Sequence, residues 1–357
     1  MVNKKTFVSN NFNLIRLFAA LQVVFMHGYE GLNIAGAGLS KVLSSFPGVP
    51  IFFFISGYLI SSPYIRNNNI FQYAINRVVR IYPALIMCTL LSILAVYLTG
   101  YFSSYEISVT KFLVWILAQV SFVQFYNPDF MREFGTGVLN GSLWTISVEL
   151  QFYFITPILY FFMNKVKRES INITLIIFII LFMVINQLYI FLGNSYSEHI
   201  LYKLFHVSFA PWFYMFLVGI LFQHNFVKIY NLIKKFRIFI GAVAILYITI
   251  IQIFDVSMGN HINPAVFFIL TILLFFIAYL SPEISNSILH RNDISYGVYI
   301  YHIPIVNIFI YYGHVGNISN FISMLILTIV LAVFSWLAVE KPLLLLKKKT
   351  IYPLSKN

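Results

Sequence analysis

Eleven apolar runs, most of them near the length of one bilayer crossing, dominate this 357-residue chain and leave little else to build a fold from. They fall at 12–29, 46–65, 81–99, 112–126, 142–163, 171–192, 205–222, 238–254, 264–281, 294–312 and 319–339. A helix needs about 20 residues to cross the hydrocarbon core. Within lipid the backbone must satisfy its own hydrogen bonds, which favours helices for such runs. Only 10% of residues are charged and 60% are hydrophobic, against about 25% charged in a soluble domain. A water-soluble globule is excluded.

Charge placement decides which runs cross, because Lys and Arg collect in cytoplasmic loops. If 112–126 is short and does not cross, 18 of the 23 Lys and Arg lie inside. These include Lys4 and Lys5, Arg66, Arg77 and Arg80, Lys165 to Arg168, Lys228 to Arg237, Arg291, and Lys341 to Lys356. Lys41, Lys111, Arg132 and Lys203 fall outside, and Arg16 sits within the first run. Letting 112–126 cross would put the Lys165–Arg168 cluster on the wrong side. The expected fold is therefore all-α: a polytopic bundle of about 10 transmembrane helices plus a short non-crossing helix, both termini cytoplasmic. The net charge of +12 then reads as a topogenic signal and not as a nucleic-acid surface.

The start of the chain reads as a retained helix, since no small-residue cleavage site follows the first run. The whole of 1–357 is expected to form one membrane domain with its core at 12–342 and no attached soluble domain. Cys88, the single cysteine, allows no internal disulfide.

Ionisable groups inside spans are costly unless paired or functional. Arg16 and His27 stand 11 residues apart in the first run, which on a helix places them on one stripe, ~20° and ~16 Å apart. Arg16 also suits a snorkelling anchor, and His27 a satisfied bundle contact. Glu149, about two turns into its helix, is expected at a depth similar to His27, where it suits either a carboxylate that orients the imidazole as a general base or a buried structural carboxylate paired with another donor. His302 is expected near mid-membrane, as a helix–helix contact, a relay or a ligand contact. These three residues come from separate helices without local ligand spacing, so no metal site is expected. Arg77 and Arg80 share a helix face and suit either phosphate binding or positive-inside anchoring. Ser56-Gly57-Tyr58 suits close helix packing or a narrow part of a pore. The remaining histidines (His199, His206, His224, His261, His290 and His314) read as structural or solvated.

Six of these features, taken in order, resemble the acyltransferase 3 family of bacterial membrane O-acyltransferases. They are Arg16-x10-His27; Phe53-Phe54-Ile55-Ser56-Gly57-Tyr58-Leu59; Arg77-x-x-Arg80-Ile81-Tyr82-Pro83; Leu143-Trp144-Thr145-Ile146-Ser147-Val148-Glu149 with Phe152-Tyr153; Ser295-Tyr296-x-x-Tyr299-x-x-His302; and Glu340-Lys341-Pro342. Thr145 stands where serine is usual. Each motif alone is weak, but six in order over residues 12–342 are specific.

The resemblance implies transfer of an acyl group, most often acetyl, from cytoplasmic acyl-CoA to a hydroxyl of a cell-surface carbohydrate such as an O-antigen, capsule or exopolysaccharide. It implies residence in the bacterial cytoplasmic membrane, with acetyl-CoA as donor substrate and no permanently bound cofactor. The partners implied are a surface or lipid-linked polysaccharide, the bilayer and, as an open option, a second copy of the chain. His27 matches the family's essential histidine, Arg16 its partner, and Arg77 and Arg80 its CoA-associated arginines. Glu149 is assigned beside His27; Ser56 and Tyr58 are placed with the donor, and Trp144, Tyr296 and His302 along the substrate path. A flippase for a lipid-linked glycan is the alternative, although the inverted repeats and paired broken helices of many transporters are not seen.

Overall fold

The structure, a computed structural model, describes residues 10–351 other than 37, 68, 255, 281, 282 and 291; the side chains of 61–67, 280 and 348–351 are also outside it. Of the expected topogenic charges, Lys4, Lys5, Arg291 and Lys356, and the side chains of Arg66, Lys348 and Lys349, lie outside the described residues.

The described elements are helical. The first helices are α1 (Phe12–Gly31), α2 (Gly38–Ser44), α3 (Gly48–Asn67), α4 (Ile70–Leu98), α5 (Val109–Gln119) and α6 (Trp144–Met163). Next come α7 (Ile171–Tyr196), α8 (Ile200–His206), α9 (Phe213–His224), α10 (Phe226–Lys235) and α11 (Arg237–Phe254). The chain continues through α12 (Pro264–Leu280), α13 (Ile284–Leu289), α14 (Ser295–Tyr311) and α15 (Ile318–Ser335). A π-helical turn, Trp336–Glu340, then leads into α16 (Lys341–Ile351).

Among the described residues, seven segments are long and apolar enough to cross a membrane, and an eighth is added if α9 and α10, bent by 82°, count as one span. The protein is thus a multi-pass membrane protein. With 11 residues, α5 reaches only ~16 Å, well short of the ~30 Å hydrocarbon core. The run expected at 205–222 is interrupted: α8 ends at His206 and α9 begins at Phe213. By contrast, α4 starts 11 residues earlier than the apolar run at 81–99, so both Arg77 and Arg80 are helical.

Two compact units make up the chain. One comprises Met1–Val23, Gly38–Asn68 and Val148–Asp293; the other Val24–Ala37, Asn69–Ser147 and Ile294–Asn357. In the first unit, α3 and α9 cross at backbone contact. A Cβ on Gly57 would lie 2.0 Å from the Phe216 carbonyl oxygen, and one on Gly219 would lie 2.2 Å from that of Phe54. Glycine is required at both points, as in many helix pairs packed within lipid. Asn11 anchors the start of α1 in the same unit: its backbone N–H donates to the Ala278 carbonyl, its side-chain amide donates to that of Ile277, and its Oδ1 accepts from the Ser285 N–H.

The second unit is organised around α14, buried at Ser295 and from Gly297 through Asn307. Asn307 holds the segment 127–141 against it. Its Oδ1 accepts from the N–H and hydroxyl of Thr136, both at 2.9 Å, and its amide donates to the carbonyls of Val138 (2.7 Å) and Leu139 (3.1 Å). Trp115, Phe130, Met131, Phe134 and Leu139 pack into an apolar cluster with Val96 and Tyr101. The polar, glycine-rich stretch after α5 is therefore a folded cap with its own core.

Candidate active site

Pro304 sets the local geometry of α14. Proline has no N–H, so the carbonyl four residues earlier loses its helical donor. That carbonyl belongs to Ile300, and two side chains replace the missing donor: Asn140 Nδ2 at 2.7 Å and the Cys88 thiol at 3.3 Å. Asn140 Oδ1 in turn accepts from the Ser142 hydroxyl at 2.7 Å. One residue before Ile300, the Tyr299 hydroxyl meets Thr145 Oγ1 at 2.7 Å. The entry to α6 and the kinked turn of α14 are thus joined by polar side chains within apolar surroundings, where each bond would be costly to leave unmade.

His302 occupies this turn and is completely buried. Its Nδ1 lies 2.5 Å from the Tyr299 carbonyl oxygen, and its Nε2 lies 2.8 Å from Nδ1 of His27. The two imidazoles stack with centroids 5.1 Å apart and planes 18° from parallel. His27 is half-buried. The structure therefore brings together two residues that sequence reasoning assigned separately, His27 and His302.

The sequence expectation paired His27 with Glu149; the hydrogen-bond partner the structure gives His27 is His302. Glu149 Oε1 accepts from the Ser56 hydroxyl at 2.6 Å and from the Tyr153 hydroxyl. Tyr153 follows Glu149 by one helical turn on α6, the spacing that lets two side chains meet. Tyr58 is fully buried, with its hydroxyl 2.7 Å from that of Tyr279. Arg16, on α1 as its spacing from His27 predicts, forms an ion pair with Asp293 at 3.6 Å.

Arg77 and Arg80 both project from α4. The Arg77 guanidinium lies 5.9 Å from the centre of the Tyr73 ring. Arg80 lies 5.7 Å from the Trp336 ring centre and 3.8 Å from the Glu340 carboxylate, which is 2% exposed. Both of these partners belong to the π-helical turn, a feature often found at functional sites. Trp144 begins α6 and Tyr296 lies in the first turn of α14; both are half-buried.

Sequence reasoning missed Asn140, Asp293 and the pairing of Arg80 with Glu340. The signals were modest. A proline two residues after His302 implied an orphaned carbonyl needing a donor, and acids are scarce, at 11 in the chain.

Comparison with known proteins gives this geometry its context. A family model described as an acyltransferase domain matches residues 9–339. The chain is 29% identical to nodulation protein 10 of Rhizobium leguminosarum bv. viciae over 364 residues, covering 96% of this chain and 95% of that protein. It is 26% identical to an O-acetyl transferase of Shigella phage Sf6 over 363 residues, covering 93% and 95% respectively. No solved structure matches the chain at a significant level.

Proposed function

The chain belongs to the acyltransferase 3 family and is a membrane O-acyltransferase, and we propose that it moves an acetyl group from cytoplasmic acetyl-CoA to a hydroxyl of a cell-surface carbohydrate. The observation that carries this reading is His27, half-buried on an apolar helix and hydrogen-bonded through one ring nitrogen to His302. An imidazole held on one edge has the other edge left for proton transfer.

In the proposed reaction His27 takes the proton of the acceptor hydroxyl as its oxygen attacks the thioester carbonyl. The C–S bond breaks, and the CoA thiolate leaves with a proton returned from His27. General-base work of this kind contributes about 10²–10⁴-fold. A covalent acyl-histidine stage is the variant of the same chemistry. Arg77 and Arg80 would bind the CoA phosphates, with Ser56 and Tyr58 toward the donor arm. Arg16, on the same helix as His27, would accompany the donor, and Trp144 and Tyr296 the substrate path.

The finer topology belongs to the same proposal. Seven long segments, the bent α9–α10 pair, and the 17-residue helices α12 and α14 make ten crossings, with α5 not crossing and both termini cytoplasmic. The membrane proposed is the bacterial cytoplasmic membrane. Acetyl transfer to oxygen has support in the Shigella phage relative, an O-acetyl transferase.

The test is proton NMR of O-acetyl groups on total surface polysaccharide from cells with and without the gene. Signals should vanish on deletion, return with the wild-type gene and stay absent with His27→Ala. Unchanged acetylation together with altered glycan export would point instead to a flippase.

A further inference from the structure

Two hydrogen bonds determine where the protons sit on both imidazoles. A backbone carbonyl can only accept, so His302 Nδ1, 2.5 Å from the Tyr299 carbonyl, carries a hydrogen. A neutral imidazole has one donor and one acceptor nitrogen, which leaves His302 Nε2 as an acceptor. The hydrogen-bond partner facing it is His27 Nδ1, at 2.8 Å, so that nitrogen is the donor. His27 is thereby left with its lone pair on Nε2. Among the described residues, no side chain hydrogen-bonds that nitrogen.

We propose that His302 is a positioning residue. By accepting from His27 Nδ1–H, it fixes the His27 tautomer and ring orientation, so that Nε2 is the atom that takes the acceptor hydroxyl's proton. This rests on the reading of His27 as the general base. When His27 takes the proton on Nε2, its Nδ1–H bond to His302 becomes charge-assisted and stronger, so the partner favours the protonated intermediate as well as the starting tautomer. Returning the proton from Nε2 to the CoA thiolate restores the initial state with nothing gained or lost. The turn that holds His302 is itself supported. Because Pro304 leaves the Ile300 carbonyl without a helical donor, Asn140 and the Cys88 thiol cap it, and this secures the segment that supplies the Tyr299 carbonyl.

The substitutions that test this separate the two edges of the His302 ring. Glutamine places its amide oxygen where Nε2 stands and can still accept from His27. Asparagine reproduces only the Nδ1 edge, and alanine neither. In purified protein reconstituted in bilayers, His302→Ala and His302→Asn should lower kcat by about 10²-fold with KM for acetyl-CoA unchanged, while His302→Gln should recover most of the rate. Nitrogen-15 NMR of histidine-labelled protein should show Nδ1 protonated and Nε2 bare on both His27 and His302 in the wild type. The His27 tautomer should persist in His302→Gln and become mixed in His302→Ala. Wild-type kcat in His302→Ala, or a wild-type His27 protonated on Nε2 in its neutral form, overturns the proposal. So does glutamine rescuing no better than asparagine. Full activity in His27→Ala would instead defeat the general-base reading, and the NMR result would still report on the His27–His302 bond.

Discussion

Glu149 and His27 make an instructive pair because sequence reasoning allowed them to meet, and the structure gives each a different kind of hydrogen-bond partner. Glu149 is an acceptor supplied by hydroxyl donors: Ser56 from α3 and Tyr153 from the next turn of its own helix. Among the described residues, His27 is hydrogen-bonded on one nitrogen only, by an imidazole that is itself tied to a backbone carbonyl. The first arrangement consumes the hydrogen-bonding capacity of one carboxylate oxygen and holds α3 to α6. The second leaves the other ring nitrogen outside these bonds. On the proposed reading, Glu149 braces helices and His27 reacts.

The comparison breaks if the two positions respond alike to substitution. The largest effect belongs to His27→Ala, which should lower transfer by at least about 10²-fold while membrane insertion and protein level stay at wild type. Close behind is Gly57→Ala, next to Ser56. Its Cβ would meet the Phe216 carbonyl at 2.0 Å, and forcing the α3–α9 crossing apart should destabilise the protein by about 1–3 kcal/mol, read as a lower Tm in detergent and a smaller folded yield. Activity per folded molecule should fall less than in His27→Ala.

Arg77→Ala sharpens the comparison at a third place. Arg77 is a proposed CoA-phosphate ligand beside the Tyr73 ring, so its loss should raise KM for acetyl-CoA about tenfold, equivalent to 1.4 kcal/mol, with kcat little changed. The smallest effect is expected of Glu149→Gln, which keeps an acceptor oxygen for Ser56 and Tyr153. Its kcat should stay within about tenfold of wild type, with a stability loss of about 1 kcal/mol. If Glu149→Gln were as inactive as His27→Ala, the division between bracing and reacting residues would be wrong.

Apolar run length and loop charge were enough to read an all-helical membrane protein, because bilayer thickness and backbone satisfaction leave a chain this apolar few alternatives. The Arg16–His27 spacing on one helix was equally legible, since helical periodicity is local. What the sequence could not show was azimuth. Sequence spacing placed His27 in the outer half of its helix and His302 near mid-membrane, but that these two meet depends on how helices whose histidines lie 275 residues apart turn toward each other. The apolar run at 81–99 covers only part of α4: Tyr73, Arg77 and Arg80 precede the run but lie in the same helix, as the i, i+3 spacing of the two arginines had implied. Likewise the order of the segment 127–141 comes from Asn307 and the Trp115 cluster, contacts that no local sequence pattern shows.

The most direct test is release of free CoA by purified protein in lipid nanodiscs, supplied with acetyl-CoA and surface polysaccharide. Wild type and Glu149→Gln should both release CoA in step with acetylation of the glycan, and His27→Ala should release none above background. CoA release by His27→Ala at the wild-type rate would contradict the assignment of His27 as the base and, with it, the account of this site.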